Sequence, residues 1–222
     1  MSDTDRAREL EDRRRVSTAA KRMLSTPHPV LLAMLGNEPG ESCPAAGLHR
    51  LLHVPTIRFQ VLYVFLVLAH DRRRILHFNV TAHPTAEWTG QQLREAFPFD
   101  QSPRYMLRDR DRIFGDDFRK QVRDMGICEV LSAPRSPWQR AYVERVIGSS
   151  RRECLDHVIV FHENALRRTL NSYFDYYHRS RTHLSLGKDS PEPRAIQPLE
   201  TGSVVALPQV GGLHHRYERR AA

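Results

Sequence analysis

VLYVFLVLAHDRRRILHFNVT, residues 61–81, is the stretch whose reading sets the fold. Its first nine residues are apolar and rich in β-branched and aromatic side chains. A run of that length and composition reads as a strand buried on both faces. Asp71, Arg72 and Arg73 make a tight polar turn, and residues 74–81 alternate apolar and polar as a partner strand does. Outward from this hairpin, Thr85 is placed to cap a helix with Glu87 in its first turn; Trp88, Leu93, Ala96 and Phe97 give that helix an apolar face. Residues 104–108 read as a short strand and 116–125 as a helix ended by Gly126. Residues 127–131 read as another strand. Residues 133–137 (APRSP) break regular structure. A long helix then starts near Trp138, and another covers 163–177. The order strand, strand, helix, strand, helix, strand, helix, helix predicts an α/β fold with a central sheet covered by helices.

Upstream the character changes. Residues 1–50 start with a charged run (RARELEDRRR) and pass through TPHP, NEPGES and CPAAG, which are breaker clusters. They are expected to be weakly structured. Residues 51–198 form the expected core domain, and 199–222 the expected extended basic tail. With 40% hydrophobic and 27% charged residues the chain can build a core, which excludes a disordered polymer. The three cysteines, Cys43, Cys128 and Cys154, are too few and too widely spaced to suggest a disulfide framework or a zinc site. No apolar run approaches the ~18 residues of a membrane span, and the polar N-terminus lacks the apolar block of a secretory leader. The expectation is a cytoplasmic protein without a membrane partner. The net charge of +8 and pI of about 9.9 rest mainly on arginine. Arginine suits bidentate phosphate contacts, so the charge points to DNA; the plainer explanation is an arginine-rich coding bias.

Two acids stand where chemistry could occur. Asp109 follows the strand 104–108 directly, and the ends of strands in open α/β sheets are where ligands sit. Glu144 lies on the long helix. There Val143, Val146, Ile147 and Cys154 form a core-facing stripe, with Glu144 beside it and Gly148, Arg151 and Arg152 roughly on the glutamate's own face. Carboxylates converging from separate elements can hold hard cations for phosphoryl transfer. Taken alone the pair is weak evidence, because a helical glutamate is usually a solvated surface residue.

The segments LRDRDRIFG, SAPRSPWQRAYVERVIGSSRRECLDHV and YFDYYHRSRTHLSL add to this reading. Together they resemble the integrase-core domain shared by retroviral integrases and bacterial insertion-sequence transposases. The likeness runs from about Val54 to Pro198 and is densest from Asp109 to Leu186. It implies a ribonuclease-H-like mixed sheet flanked by helices, and DNA cutting and joining with Mg²⁺ or Mn²⁺. It implies that Asp109 and Glu144, 144 − 109 = 35 residues apart, are the second and third catalytic, metal-binding carboxylates, with Asp111 as the alternative second ligand. It further implies that Pro134, Ser136, Pro137, Trp138 and Gln139 shape the approach to the active-site helix. The candidate DNA contacts are Arg135, Gln139, Arg140, Arg151, Arg152, Arg179 and Arg181, the last two being equally well read as solvated. His178 and His183 match no zinc spacing and are expected to cap or pack.

The pattern breaks at its start. Where the family carries its first aspartate, LHRLLHVPTIRF places Arg50, and no aspartate lies between Asp12 and Asp71. At ~4 Å a like unit charge repels by roughly 4 kcal/mol at an effective dielectric of 20, and a divalent ion doubles that. Arg140 also replaces the asparagine usual after the PWQ triplet. One cause unites the change of character near residue 53 with the missing acid. Codons for Arg-Leu-Leu-His, shifted by one base, can read Ile-Asp-Phe-Phe-Thr, so a frameshift near His53 would fuse an out-of-frame N-terminal peptide to an intact core; the genomic sequence tests this directly. The expectation is a DDE-type transposase relative that is catalytically defective, binding DNA as a homo-multimer or in mixed multimers with an intact transposase, and using Mg²⁺ or Mn²⁺ if any metal site survives. The alternative is a non-catalytic DNA-binding or interaction protein derived from a transposase.

Overall fold

The computed structural model describes residues 45–69, 72–98, 102–108, 114–131 and 141–221, with side chains from Leu51 onward. The hairpin read from the sequence is present. Strand β2 (Val61–Ala69) pairs antiparallel with β3 (Ile75–Thr81). It also pairs antiparallel with β1 (Ala45–Pro55), which in turn runs parallel to β4 (Tyr105–Arg108), and β4 runs parallel to β5 (Cys128–Leu131). The sheet order is β3-β2-β1-β4-β5.

Helices cover both faces. On one side α1 (Ala86–Ala96) and α2 (Asp116–Asp124) pack Leu93, Phe118 and Val122 against Leu51, Phe65, Val67 and Met106. On the other, α3 (Ala141–Glu153) and α4 (Glu163–Arg179) pack Val143, Val146, Leu166, Leu170, Tyr173, Phe174 and Tyr177 against Leu52, Val54, Leu62, Val64, Leu66 and Leu68. Strand β2 thus sends alternate side chains into two cores, which is why its sequence is apolar without a break. The fold is the expected ribonuclease-H-like mixed sheet flanked by helices.

Local signals account for the helix ends. The Thr85 hydroxyl accepts from the Trp88 N–H at 3.1 Å, satisfying one of the free amides of α1. Thr85→Ala is expected to cost about 1 kcal/mol, measured as a lowered urea midpoint at constant slope. Helix α2 ends where Gly126 takes φ +69°: its N–H bonds the Arg123 carbonyl at 2.9 Å, and the Ile127 N–H bonds that of Val122 at 3.1 Å. A left-handed glycine closing the last turn in this way satisfies carbonyls the helix leaves open.

Two stretches differ from the sequence expectation. Residues 45–50 lie in β1, inside the sheet, although they were expected to be weakly structured; residues 1–44 lie outside the described residues. The strand forms because β2 and β4 supply ladder partners on both edges, which the alanines and glycine of 45–47 do not announce by themselves. Its register against β2 shifts once: His49 faces Leu66 and Leu52 faces Val64, so Arg50 and Leu51 together oppose Phe65 alone. The tail also differs. Residues 203–220, within the expected extended tail, form an antiparallel hairpin of β6 (Ser203–Gln209) and β7 (His214–Arg220). Val210 at its turn is buried against the α3/α4 core, and His214 stacks on Tyr176 with centroids 4.3 Å apart. Pro208 sits in β6, which among the described residues has a ladder partner on one side only, where a missing N–H is tolerated.

Candidate active site

Strand β1 is the centre of the sheet, and the second-acid position follows its parallel neighbour. In the β1–β4 ladder Ala45, Ala46 and Gly47 face Tyr105, Met106 and Leu107. β4 ends at Arg108, and position 109 comes next in the chain. Asp109 itself, with Asp111, lies outside the described residues, as do Arg135, Gln139 and Arg140 and the residues 134–138 beside them. Arg108 is 2% exposed, ion-paired with Glu129 on β5, and its guanidinium lies 5.5 Å from the Phe114 ring centroid. A buried cation is tolerable only with such a partner.

Glu144 lies in the first turn of α3 and is exposed. The core-facing stripe is as read from the sequence: Val143, Val146 and Cys154 are buried and Ile147 packs against them. Burial pushes the Cys154 thiol up to about 11, so it stays protonated and inert near neutral pH. The helix is held to β1 by this packing and by Arg151, whose Nη2 donates to the His53 carbonyl at 3.2 Å. Arg151 and Arg152 are both exposed along the same helix. Near the start of α3, the Arg73 guanidinium lies 4.7 Å from the Tyr142 ring centroid, tying the β2–β3 turn to the helix. Among the described residues no three His, Cys, Asp or Glu side chains gather closely enough to hold a metal ion.

Arg179 and Arg181 are engaged inside the molecule. Arg179 pairs with Asp175 at 2.9 Å and Glu192 at 3.1 Å. Arg181 grips Glu153 with Nε and Nη2, each at 2.6 Å, in a bidentate pair. Tyr173 Oη donates to the same carboxylate at 2.9 Å, and His214 Nε2 donates to the Glu153 backbone carbonyl at 2.7 Å. Burial alone would raise the Glu153 pKa, but the hydrogen bonds and charge of Arg181 and the Tyr173 hydroxyl hold it below its ordinary value. This clamp fixes the C-terminal end of α3 to α4 and β7. The sequence reading missed it, since its members are spread from 153 to 214. The only local signal was an acid at the end of one helix and a base just past the end of the next.

The histidines cap and pack. His178 Nε2 accepts from the Ile75 N–H at 2.9 Å, and burial lowers its pKa. His183 is buried edge-on to Tyr177, with ring centroids 4.8 Å apart. Its Nδ1 faces Arg181 Nη1 at 3.1 Å; since the guanidinium can only donate, Nδ1 accepts and the ring is neutral.

A five-stranded sheet in this order, with two helices on each face, defines a ribonuclease-H-like core, and the comparisons with known proteins place it more closely. Residues 125–191, which span β5, α3 with Glu144 and all of α4, match the family described as Integrase core domain. A chain of the simian T-cell lymphotropic virus intasome in complex with PP2A regulatory subunit B56 gamma shares the fold (TM-score 0.54, 13% identity, 79% of this chain and 66% of that chain). So does the HTLV-2 integrase catalytic core domain in complex with magnesium in its trimeric form (TM-score 0.52, 12% identity, 69% of this chain and 97% of that one). Its dimeric form gives TM-score 0.50 at 11% identity, covering 67% of this chain and 93% of that one. The matched part thus spans about two thirds of the intasome chain. No curated protein is significantly similar in sequence. The chain carries an integrase-like domain. Among the described residues no helix is long and apolar enough to cross a membrane.

Proposed function

We propose that this chain is a DNA-integration or transposition protein whose phosphoryl-transfer centre is incomplete, so that it binds DNA without joining it. The observation that carries this reading is Arg50 at the register shift of β1. That strand pairs with β4, after which Asp109 follows in the chain, and its Leu52 and Val54 share a core with α3, the helix that carries Glu144. The HTLV-2 core is solved with magnesium, and hard divalent ions want several oxygen ligands. Asp109 and Glu144, with Arg50 where the resemblance expects the first acid, supply too few carboxylates for a pair of such ions. A cation ~4 Å from a divalent ion costs roughly 8 kcal/mol at an effective dielectric of 20. We therefore derive no step through a metal.

What the chain's own residues supply is a basic surface. The exposed guanidinium groups of Arg151 and Arg152 on α3, with Arg135, Gln139 and Arg140 before it, are suited to the phosphate backbone, giving salt-sensitive and largely sequence-independent binding. Arg179 and Arg181 have internal carboxylate partners and contribute less. Association with copies of itself, or with an intact transposase, would let it occupy element ends without cutting them.

A strand-transfer assay with labelled DNA ends and Mg²⁺ or Mn²⁺ tests this. The natural chain is expected to give no product, and Arg50→Asp to gain metal-dependent product, because β1 is already a strand. Product from the natural chain that disappears in Glu144→Gln would show a working centre and end the reading.

A further inference from the structure

A groove of about 940 Å³ lies between residues 187–197 and β7, lined by no residue of α3. Its carboxylates are already engaged. Asp189 pairs with Arg72 at 2.8 Å, Glu192 with Arg179 at 3.1 Å, and Glu218 with Arg216 at 2.6 Å. Lys188, Arg194 and Arg219 also line it, and among the described residues none of these three side chains is ion-paired with a carboxylate; the Arg194 backbone N–H donates to Asp189 Oδ1 at 3.4 Å and Arg219 Nη1 to the Gly202 carbonyl at 3.0 Å. The groove therefore carries uncompensated positive charge. It also carries apolar surface that water would disfavour: Ile196 is 95% exposed and Tyr217 62% exposed.

Two occupants fit a groove beside a strand whose second edge has no ladder partner among the described residues. An extended peptide would add to β7 through edge amides, but the Arg219 N–H is already taken by Gln197 Oε1 at 2.6 Å. A polynucleotide strand uses what is left over: cations for phosphates and a flat ring for a base. We propose that this groove binds an unpaired polynucleotide strand, with Lys188, Arg194 and Arg219 on its phosphates and Tyr217 stacked under a base. The site goes beyond the Asp109–Glu144 reading and does not need that centre to turn over. Duplex DNA keeps its bases paired, with their faces covered by stacking on one another, so Tyr217 gives the groove a preference for single strands.

Fluorescence anisotropy with a labelled oligothymidylate of about twelve nucleotides, at about 50 mM salt, tests it on the full chain. Tyr217→Ala is expected to weaken binding at least about fivefold, while Tyr217→Phe, which keeps the ring, retains it. Arg194→Glu is expected to weaken it about tenfold or more and to lower the salt slope by about one. Arg168→Glu, an equal charge change on the exposed face of α4, is expected to leave most of the affinity. Unfolding midpoints within about 1 °C of the natural chain would show that the variants fold. Equal losses from Arg194→Glu and Arg168→Glu would reduce the effect to net charge and overturn the proposal. So would unchanged binding by Tyr217→Ala, or a polyglutamate peptide competing as well as the oligonucleotide.

Discussion

Tyr173→Ala is expected to cost about 4–5 kcal/mol, enough to unfold a marginally stable domain. The ring is fully buried in the α3/α4 core, within 6.3 Å centroid to centroid of Phe174, Tyr176, Tyr177 and His214. Truncation removes that packing and leaves a cavity lined by helix and hairpin. It also removes a hydroxyl from the Glu153 carboxylate. Tyr173→Phe separates the two effects. It keeps the ring and loses only the hydrogen bond, and since Arg181 still holds both carboxylate oxygens it is expected to cost about 1–2 kcal/mol. Urea unfolding of the two variants checks this. Equal costs would mean that the clamp on α3, rather than packing, dominates the core here. A small cost for both would mean that the hairpin does not dock on α4 in solution.

Acidification from pH 7 toward pH 4 is expected to remove about 3 kcal/mol of stability through His183 alone. Burial first, and the Arg181 guanidinium second, depress its pKa to about 4 from an ordinary 6.5. Protonating Nδ1 would break the hydrogen bond from Arg181 and set two cations side by side. The unfolded chain takes up its proton near pH 6.5, whereas the folded chain resists until about pH 4. Stability from this group is therefore complete above pH 6.5 and is lost as pH falls through that window. His178, also depressed, acts in the same direction. Glu153, whose folded pKa is lowered, adds a second loss below its unfolded value of 4.5. Unfolding free energies at pH 7.5, 6 and 5 test this. His183→Gln removes the titrating ring and should flatten the profile between pH 6.5 and 4; a slope unchanged by that substitution would rule out His183 as its source.

The recognisable parts of the fold were those whose signals are local. β2 is apolar throughout because both of its faces are covered, and β3 alternates. Thr85 and Gly126 mark helix ends through their own backbone chemistry, and the α3 stripe fixes which face meets the sheet. The integrase-like character was also in the chain order, since the matched segment 125–191 holds two of the three motif segments that suggested it, SAPRSPWQRAYVERVIGSSRRECLDHV and YFDYYHRSRTHLSL. Glu144 was legible as an acid beside the stripe, and the structure puts it on an exposed first turn of that helix.

By itself, then, the sequence determined the alternation of strands and helices and the two buried faces of β2, and it set Arg50 where the resemblance leads one to expect an acid. Tertiary structure decided what depends on partners distant in the chain. Residues 45–50 are strand because β2 and β4 flank them. Residues 203–220 are a hairpin because Val210 and His214 find α3 and α4. Arg181 is a clamp on Glu153, although its sequence neighbours suggested a DNA contact. The physical reason is common to all three. Ladder hydrogen bonds, ion pairs and burial are made between groups tens to more than a hundred residues apart, and their energy is not encoded in the spacing of either partner alone.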